Sequence, residues 1–196
     1  HGILQVFTSS TAIAGVLMIL FFCAAHEIVN LVFGVWMEDN YGLSINALGV
    51  ASTVIGLAEL ISVAVISWLI AKLGAKRSVA IGLVFSAITA IAIPWLGSFG
   101  LWGAEFGLFL FNLAFQMPFI AYAPLLTEVL PFARASLLGA TLASVGVGRM
   151  LGALAAPYLF VWGFQFNALA AMILFLISLF TLSKVKTYQE QVINPA

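Results

Sequence analysis

The chain has 196 residues, of which 64% are hydrophobic and only 7% charged, and its formal net charge is zero. Soluble domains carry roughly 25% charged residues, so this composition excludes a water-covered globule and requires a surface that faces lipid. Zero net charge excludes the broad basic surface of a nucleic-acid binder, and the lone cysteine, Cys23, excludes an internal disulfide and a cysteine metal cluster.

His1 in place of a methionine leads to the expectation of a fragment or a processed chain, and HGILQVFTSS has no basic n-region of a cleavable signal. A spanning helix needs roughly 20 mostly apolar residues. Hydropathy and the breaks at Gly, Pro and charge predict six, at Thr11–Trp36, Ile45–Ala71, Ser78–Leu96, Leu101–Leu126, Ala135–Trp162 and Phe166–Ser183. The connections MEDNYGLS, KLGAKR, GSFG, TEVLPFAR and GFQ are short. No segment of about ten residues alternates with period two, which excludes a β-barrel. The expected fold class is an all-α integral membrane domain over residues 1–196, with 184–196 as a tail.

Span one carries CAAHEIVN, in which His26, Glu27 and Asn30 share one broad helical face. Span two carries Glu59 near its centre. Span three has no ionisable residue and is expected to face lipid. Span four carries Glu105, Asn112 and Gln116 as a polar stripe at helical spacing. Glu105 lies near the outer end, within reach of interfacial water. Asn112 and Gln116 serve either a polar path or hydrogen bonding between helices. Span five carries Arg149 inside SVGVGRMLG, a stretch with no other charge. Ala140, Ser144, Gly148, Gly152 and Ala156 recur every four residues along it, a ladder that lets another helix approach closely. It serves static packing or a sliding contact, and Pro157 weakens the end of the span. Span six, like span three, has no ionisable residue and is expected to face lipid.

Six of the seven basic residues sort to one side. Lys72, Lys76 and Arg77 follow span two, Arg134 follows span four, and Lys184 and Lys186 follow span six. The opposite loops have no Lys or Arg, and one holds Glu38 and Asp39. The positive-inside rule then places both termini in the cytoplasm. The seventh, Arg149, is left in the membrane. Arginine stays charged there, and a charge at the bilayer centre costs roughly 3 kcal/mol on insertion scales. Counted from the basic side, Glu27 is about 15 residues deep, Arg149 about 14 and Glu59 about 12, each rising about 1.5 Å. Arg149 is therefore expected to be held by Glu27 or Glu59. A static ion pair is one reading; a charge lining a solute or proton path is the other, which intramembrane charges favour. His26 serves such a path or quietly satisfies a neighbour.

The loop SWLIAKLGAKRSVAIG resembles the G-x-L-x-D-R-x-G-R-R loop motif of the major facilitator superfamily. Gly74 matches its central glycine, Lys72 the first basic position, and Lys76 and Arg77 the later basic cluster. Ser67 stands at the leading glycine and Ala71 at the aspartate, which resembles the degenerate copy in the family's C-terminal half. LLTEVLPFARASLLGATLASVGVGRMLG also resembles that half in drug- and sugar-efflux permeases, with Glu128, Pro131 and Arg134 in the fourth-to-fifth connection. The resemblance implies half of a twelve-helix fold, built of two inverted three-helix repeats. It implies that spans one and four line a cavity, two and five face the missing N-terminal half, and three and six face lipid. The function implied is a secondary transporter moving a small solute by alternating access, with protons as the candidate coupling ion. A salt bridge between Glu128 and Arg134 is expected in one access state only.

The candidate cavity residues are His26, Glu27, Asn30, Asn112 and Gln116, with Glu27, Glu59 and Arg149 as the charges that couple or pair. The sequence has no Ser/His/Asp set, no phosphate loop and no metal-ligand spacing, so no cofactor, metal or covalent chemistry is expected. A rhomboid-like intramembrane enzyme and a non-transporting scaffold are the alternatives. The expected partners are the bilayer, the solute and the missing half.

Overall fold

The computed structural model describes residues 6–187, which are helical with no strand among them. The helices are α1 (Ser10–Asn30), α2 (Phe33–Tyr41), α3 (Ile45–Leu73), α4 (Ala75–Gly97), α5 (Leu101–Val129), α6 (Arg134–Phe160) and α7 (Phe164–Lys184). Helices α1 and α2 together form one candidate span, Ser10–Tyr41, and α3 to α7 supply five more, making six long and apolar enough to cross a membrane. The chain is a multi-pass membrane protein. Most of the tail expected over 184–196 lies outside the described residues.

The first span runs past the predicted stop at Trp36. Residues 38–41 are polar but contain no helix breaker, and the stop comes at Gly42, in the left-handed region at φ 63°. The span is not one continuous helix. Val32 N–H turns to Val29 O at 3.3 Å, one tightened turn between α1 and α2. The carbonyl of Ile28 then accepts from Asn167 Nδ2 at 3.0 Å, and the same amide reaches Ala156 O at 2.9 Å. One buried side chain of α7 thus ties α1 to α6.

Helix α1 packs on α6 and α7, α5 packs on α3 and α4, and α4 packs on α7. Exchanging the first three spans with the last three turns α1 on α6 into α5 on α3 and α1 on α7 into α5 on α4, and leaves the α4–α7 pairing as it is. The bundle is therefore two structurally equivalent triplets. Each triplet holds an odd number of spans, so the second crosses the membrane in the opposite sense. The equivalence survives without visible sequence identity because it resides in which faces are small or apolar, not in particular residues.

Helices α4 and α7 need a correction to the lipid-facing expectation. Each shows lipid one apolar face, with Ile88 and Phe180 exposed, but buries another that is dotted with polar groups. Ser78, Ser86, Thr89, Asn167 and Ser178 are all buried. The hydroxyls escape penalty by donating to backbone carbonyls. Ser86 reaches Gly82 O at 2.9 Å in its own helix, and Ser178 reaches Met18 O across to α1 at 2.8 Å. The least buried spans are α3 and α6.

The two ends of the bundle differ. One carries Lys72, Lys76, Arg77, Arg134, Lys184 and Lys186. At the other, Trp36 stacks on Phe164 with centroids 4.2 Å apart, and Tyr41 OH donates to Gly97 O at 2.8 Å. Trp95, Trp102, Tyr158 and Trp162 are exposed around that end. Amphipathic rings gather at the headgroup level of a bilayer, so this ring of aromatics marks one membrane boundary.

Candidate functional site

The small-residue ladder of α6 sets the distance to α1. A Cβ added at Gly148 would strike Leu20 O, and one at Gly152 would lie 2.5 Å from Ala24 O and 2.9 Å from Glu27 Cβ. Ser144, Gly148, Gly152 and Ala156 are buried on this seam. The close approach brings Arg149 beside α1. Its Nε donates to Glu27 Oε2 at 2.9 Å. The Glu27 side chain is 12% exposed and that of Arg149 56%, so the pair stands at the edge of the bundle with the carboxylate on the inner side.

Arg149 also lines a cavity of about 230 Å³ between α1, α3, α5 and α6. His26, Asn30, Asn112, Gln116 and Glu59 share its lining with Cys23, Ile55, Phe115 and Phe119. His26 Nε2 and Asn112 Oδ1 are 3.2 Å apart, bridging α1 and α5. Asn112 Nδ2 donates to Leu108 O at 2.9 Å, which turns the amide oxygen toward the histidine. The His26 ring stacks on Phe115 with centroids 3.6 Å apart and on Phe111 at 5.4 Å. Phe22 also stacks on Phe115, with centroids 4.6 Å apart. The imidazole is thereby held in plane between rings, with Nε2 facing the amide oxygen. Gln116 Oε1 is buried and, among the described residues, has no hydrogen-bond partner. A buried acceptor left unpaired costs about 1–3 kcal/mol, so it favours any guest that brings a donor.

Of the sequence candidates, His26, Asn30, Asn112, Gln116, Glu59 and Arg149 meet at this cavity, and Glu27 joins through the ion pair. Glu59 needs a correction as a holder of Arg149: it lines the same cavity, but Glu27 holds the guanidinium. Lys72, Gly74, Lys76 and Arg77 lie apart, at the basic end. Gly74 takes φ 82° where α3 turns into α4, a conformation that requires glycine. Lys72 Nζ sits 4.3 Å from the Trp68 ring centroid. Glu128 and Arg134 flank the break between α5 and α6, both exposed, and no ion pair joins them among the described residues.

Sequence reasoning missed the aromatic shelf and Asn167. The shelf had a signal: Phe111, Phe115 and Phe119 recur every four residues, interleaved with Asn112 and Gln116. Asn167 had only its own polarity, at the head of an otherwise apolar span.

Six spans in two inverted triplets, with charges turned toward an internal cavity, define a membrane solute carrier. The family model of the Major Facilitator Superfamily matches residues 15–194, and the chain belongs to that superfamily of secondary transporters. No curated protein and no solved structure matched the chain.

Proposed function

We propose that the chain is the C-terminal half of a permease of the drug- or sugar-efflux type, exporting a small solute from the cytoplasm by proton-coupled alternating access. The observation that carries this reading is the Arg149–Glu27 pair at 2.9 Å, on a seam of small residues beside the cavity. An opposite charge a few ångströms away favours an ionised carboxylate, and its departure favours protonation. If α6 moves against α1 between access states, Glu27 gains and loses its partner, so the carboxylate is paired in one state and open to a proton in the other. Arginine suits the role because it keeps its charge throughout. The solute rests on Phe115 and Phe119 and is read by Asn30, Asn112 and Gln116. An N-terminal half covers the exposed apolar faces of α3 and α6, where Leu60 and Leu154 stand, and closes over Arg149. The test is flux: Glu27→Gln should stop pH-driven transport and spare solute exchange.

The same reading puts both termini in the cytoplasm of a cell membrane, supported by the basic end. Single cysteines at Asp39, Ser98 and Val161 should react with an impermeant thiol reagent added outside intact cells. Cysteines at Leu73 and Phe132 should not. Native Cys23 is buried and gives little background. Outside labelling at Leu73 would reverse the orientation.

Glu128 and Arg134 are proposed to pair in one access state only. An exposed pair contributes no more than about 1 kcal/mol, which still shifts a balanced two-state equilibrium about fivefold. Reversing both charges together should recover the transport lost in either single reversal. A double variant as poor as the singles would end the pairing idea.

A further inference from the structure

Glu59 is the charge that the ion pair leaves over. It stands on α3 and lines the same cavity as Arg149. The guanidinium is matched by Glu27 at 2.9 Å, whereas among the described residues no hydrogen bond or ion pair reaches the Glu59 carboxylate. A carboxylate inside a span makes insertion costlier, and one without a partner returns none of that as stability. With Glu27 included, the wall holds one guanidinium against two carboxylates. The unmatched neutral group leans the same way: the buried Gln116 Oε1 is an acceptor with no donor among the described residues. Arg149 keeps N–H groups that an oxygen could meet, but Glu27 already cancels its charge.

We propose that Glu59 selects the charge of the solute, and that the solute is an organic monocation. Its ammonium donates to Glu59 and to Gln116 Oε1, and its ring lies against Phe119 and Ile55, which line the same cavity. The inference rests on this cavity being the solute site of a carrier, and it names the class of solute. Charge decides between classes. When the site closes and water leaves, a neutral solute such as a sugar leaves the Glu59 charge uncancelled, and an anion adds to the excess. An ammonium brings three donors and no acceptor, which suits an unmet carboxylate beside an unmet amide oxygen. The face of an aromatic ring such as Phe119 also attracts a cation. These helices contribute about 230 Å³, enough for one ring with a short amine arm.

The test is binding to the full-length protein in mild detergent, read by isothermal titration calorimetry against protein-free micelles. The probes are phenethylamine, 2-phenylethanol and phenylacetate, which share one ring and differ in charge. A hydrogen bond to a charged group is worth roughly ten- to a hundredfold, so phenethylamine should bind at least about tenfold tighter than 2-phenylethanol. Phenylacetate should bind weakest. Glu59→Gln keeps the shape and removes the charge. It should bring phenethylamine to within a few-fold of 2-phenylethanol and leave the affinity for 2-phenylethanol unchanged. Glu59→Asp keeps the charge and should retain part of the preference. Phenethylamine that binds the unaltered protein no tighter than phenylacetate, or does not bind at all, would overturn the proposal. So would a Glu59→Gln variant that keeps the preference. If Glu59→Gln fails to fold while Glu59→Asp folds, the carboxylate is a structural partner of the other half and the proposal falls. The carrier reading fails on a different result, full pH-driven transport by Glu27→Gln with the order of the probes intact.

Discussion

Replacing Gly152 with leucine should cut the yield of monodisperse protein in mild detergent more than any other substitution at a single glycine on α6 except Gly148. The reason is geometric. The first added carbon would lie 2.5 Å from Ala24 O, a backbone atom that cannot swing away, so α1 and α6 must part. Overpacking costs typically about 1–3 kcal/mol, and parting two helices along a ladder belongs at the top of that range. Gly139 is the control. It lies on the same helix with open space where its Cβ would be, and Gly139→Ala should leave stability unchanged or raise it by up to about 1 kcal/mol through helix propensity. Thermal midpoints from fluorescence-detected size exclusion would read both. Equal midpoints for Gly139→Ala and Gly152→Leu would mean that the ladder does not set the helix separation.

The second large effect concerns the charge pair. Arg149→Leu leaves Glu27 unpartnered, and Glu27→Leu leaves Arg149 unpartnered. Each should cost about 3 kcal/mol, the insertion cost of one uncompensated charge. The double leucine variant removes both charges and should recover most of the lost stability, because a paired charge replaced on both sides by apolar groups is close to neutral. Glu59→Leu should leave stability nearly unchanged, since Glu27 and not Glu59 holds Arg149. The same size-exclusion midpoints measure all four. A large loss in Glu59→Leu with none in Glu27→Leu would assign the partner to the wrong carboxylate.

The architecture was legible because a bilayer simplifies the code. Backbone groups in lipid must be satisfied within each segment, so long apolar runs become helices and basic loops mark one side. Depth counting brought Arg149 level with both Glu27 and Glu59. It could not choose between them, because helical depth does not encode which helices are neighbours. The choice depends on α1 packing on α6, and that follows from Gly148 and Gly152 meeting Leu20 O and Ala24 O. The ladder was visible in the sequence; its partner was not. The roles of α4 and α7 were half legible for a related reason. Ser86 and Ser178 score as nearly neutral in a hydropathy sum, yet they occupy buried faces because their hydroxyls bond to carbonyls. Asn167 was unreadable because its partners, Ile28 O and Ala156 O, are backbone atoms on other helices. No side-chain pattern announces a carbonyl released by a tightened turn.

The central claim is that Glu27 carries the proton whose binding is set by Arg149, and solute flux in liposomes tests it most directly. The full-length protein and its Glu27→Gln variant would be reconstituted at equal amounts of folded protein. Each would be assayed twice, once for uptake or release driven by an imposed pH gradient and once for exchange of labelled against unlabelled solute with no gradient. Glutamine keeps an acceptor for Arg149 Nε but binds no proton at this pH. The account predicts that the variant loses pH-driven transport and keeps exchange within a few-fold of the unaltered protein. Full pH-driven transport by Glu27→Gln would contradict it.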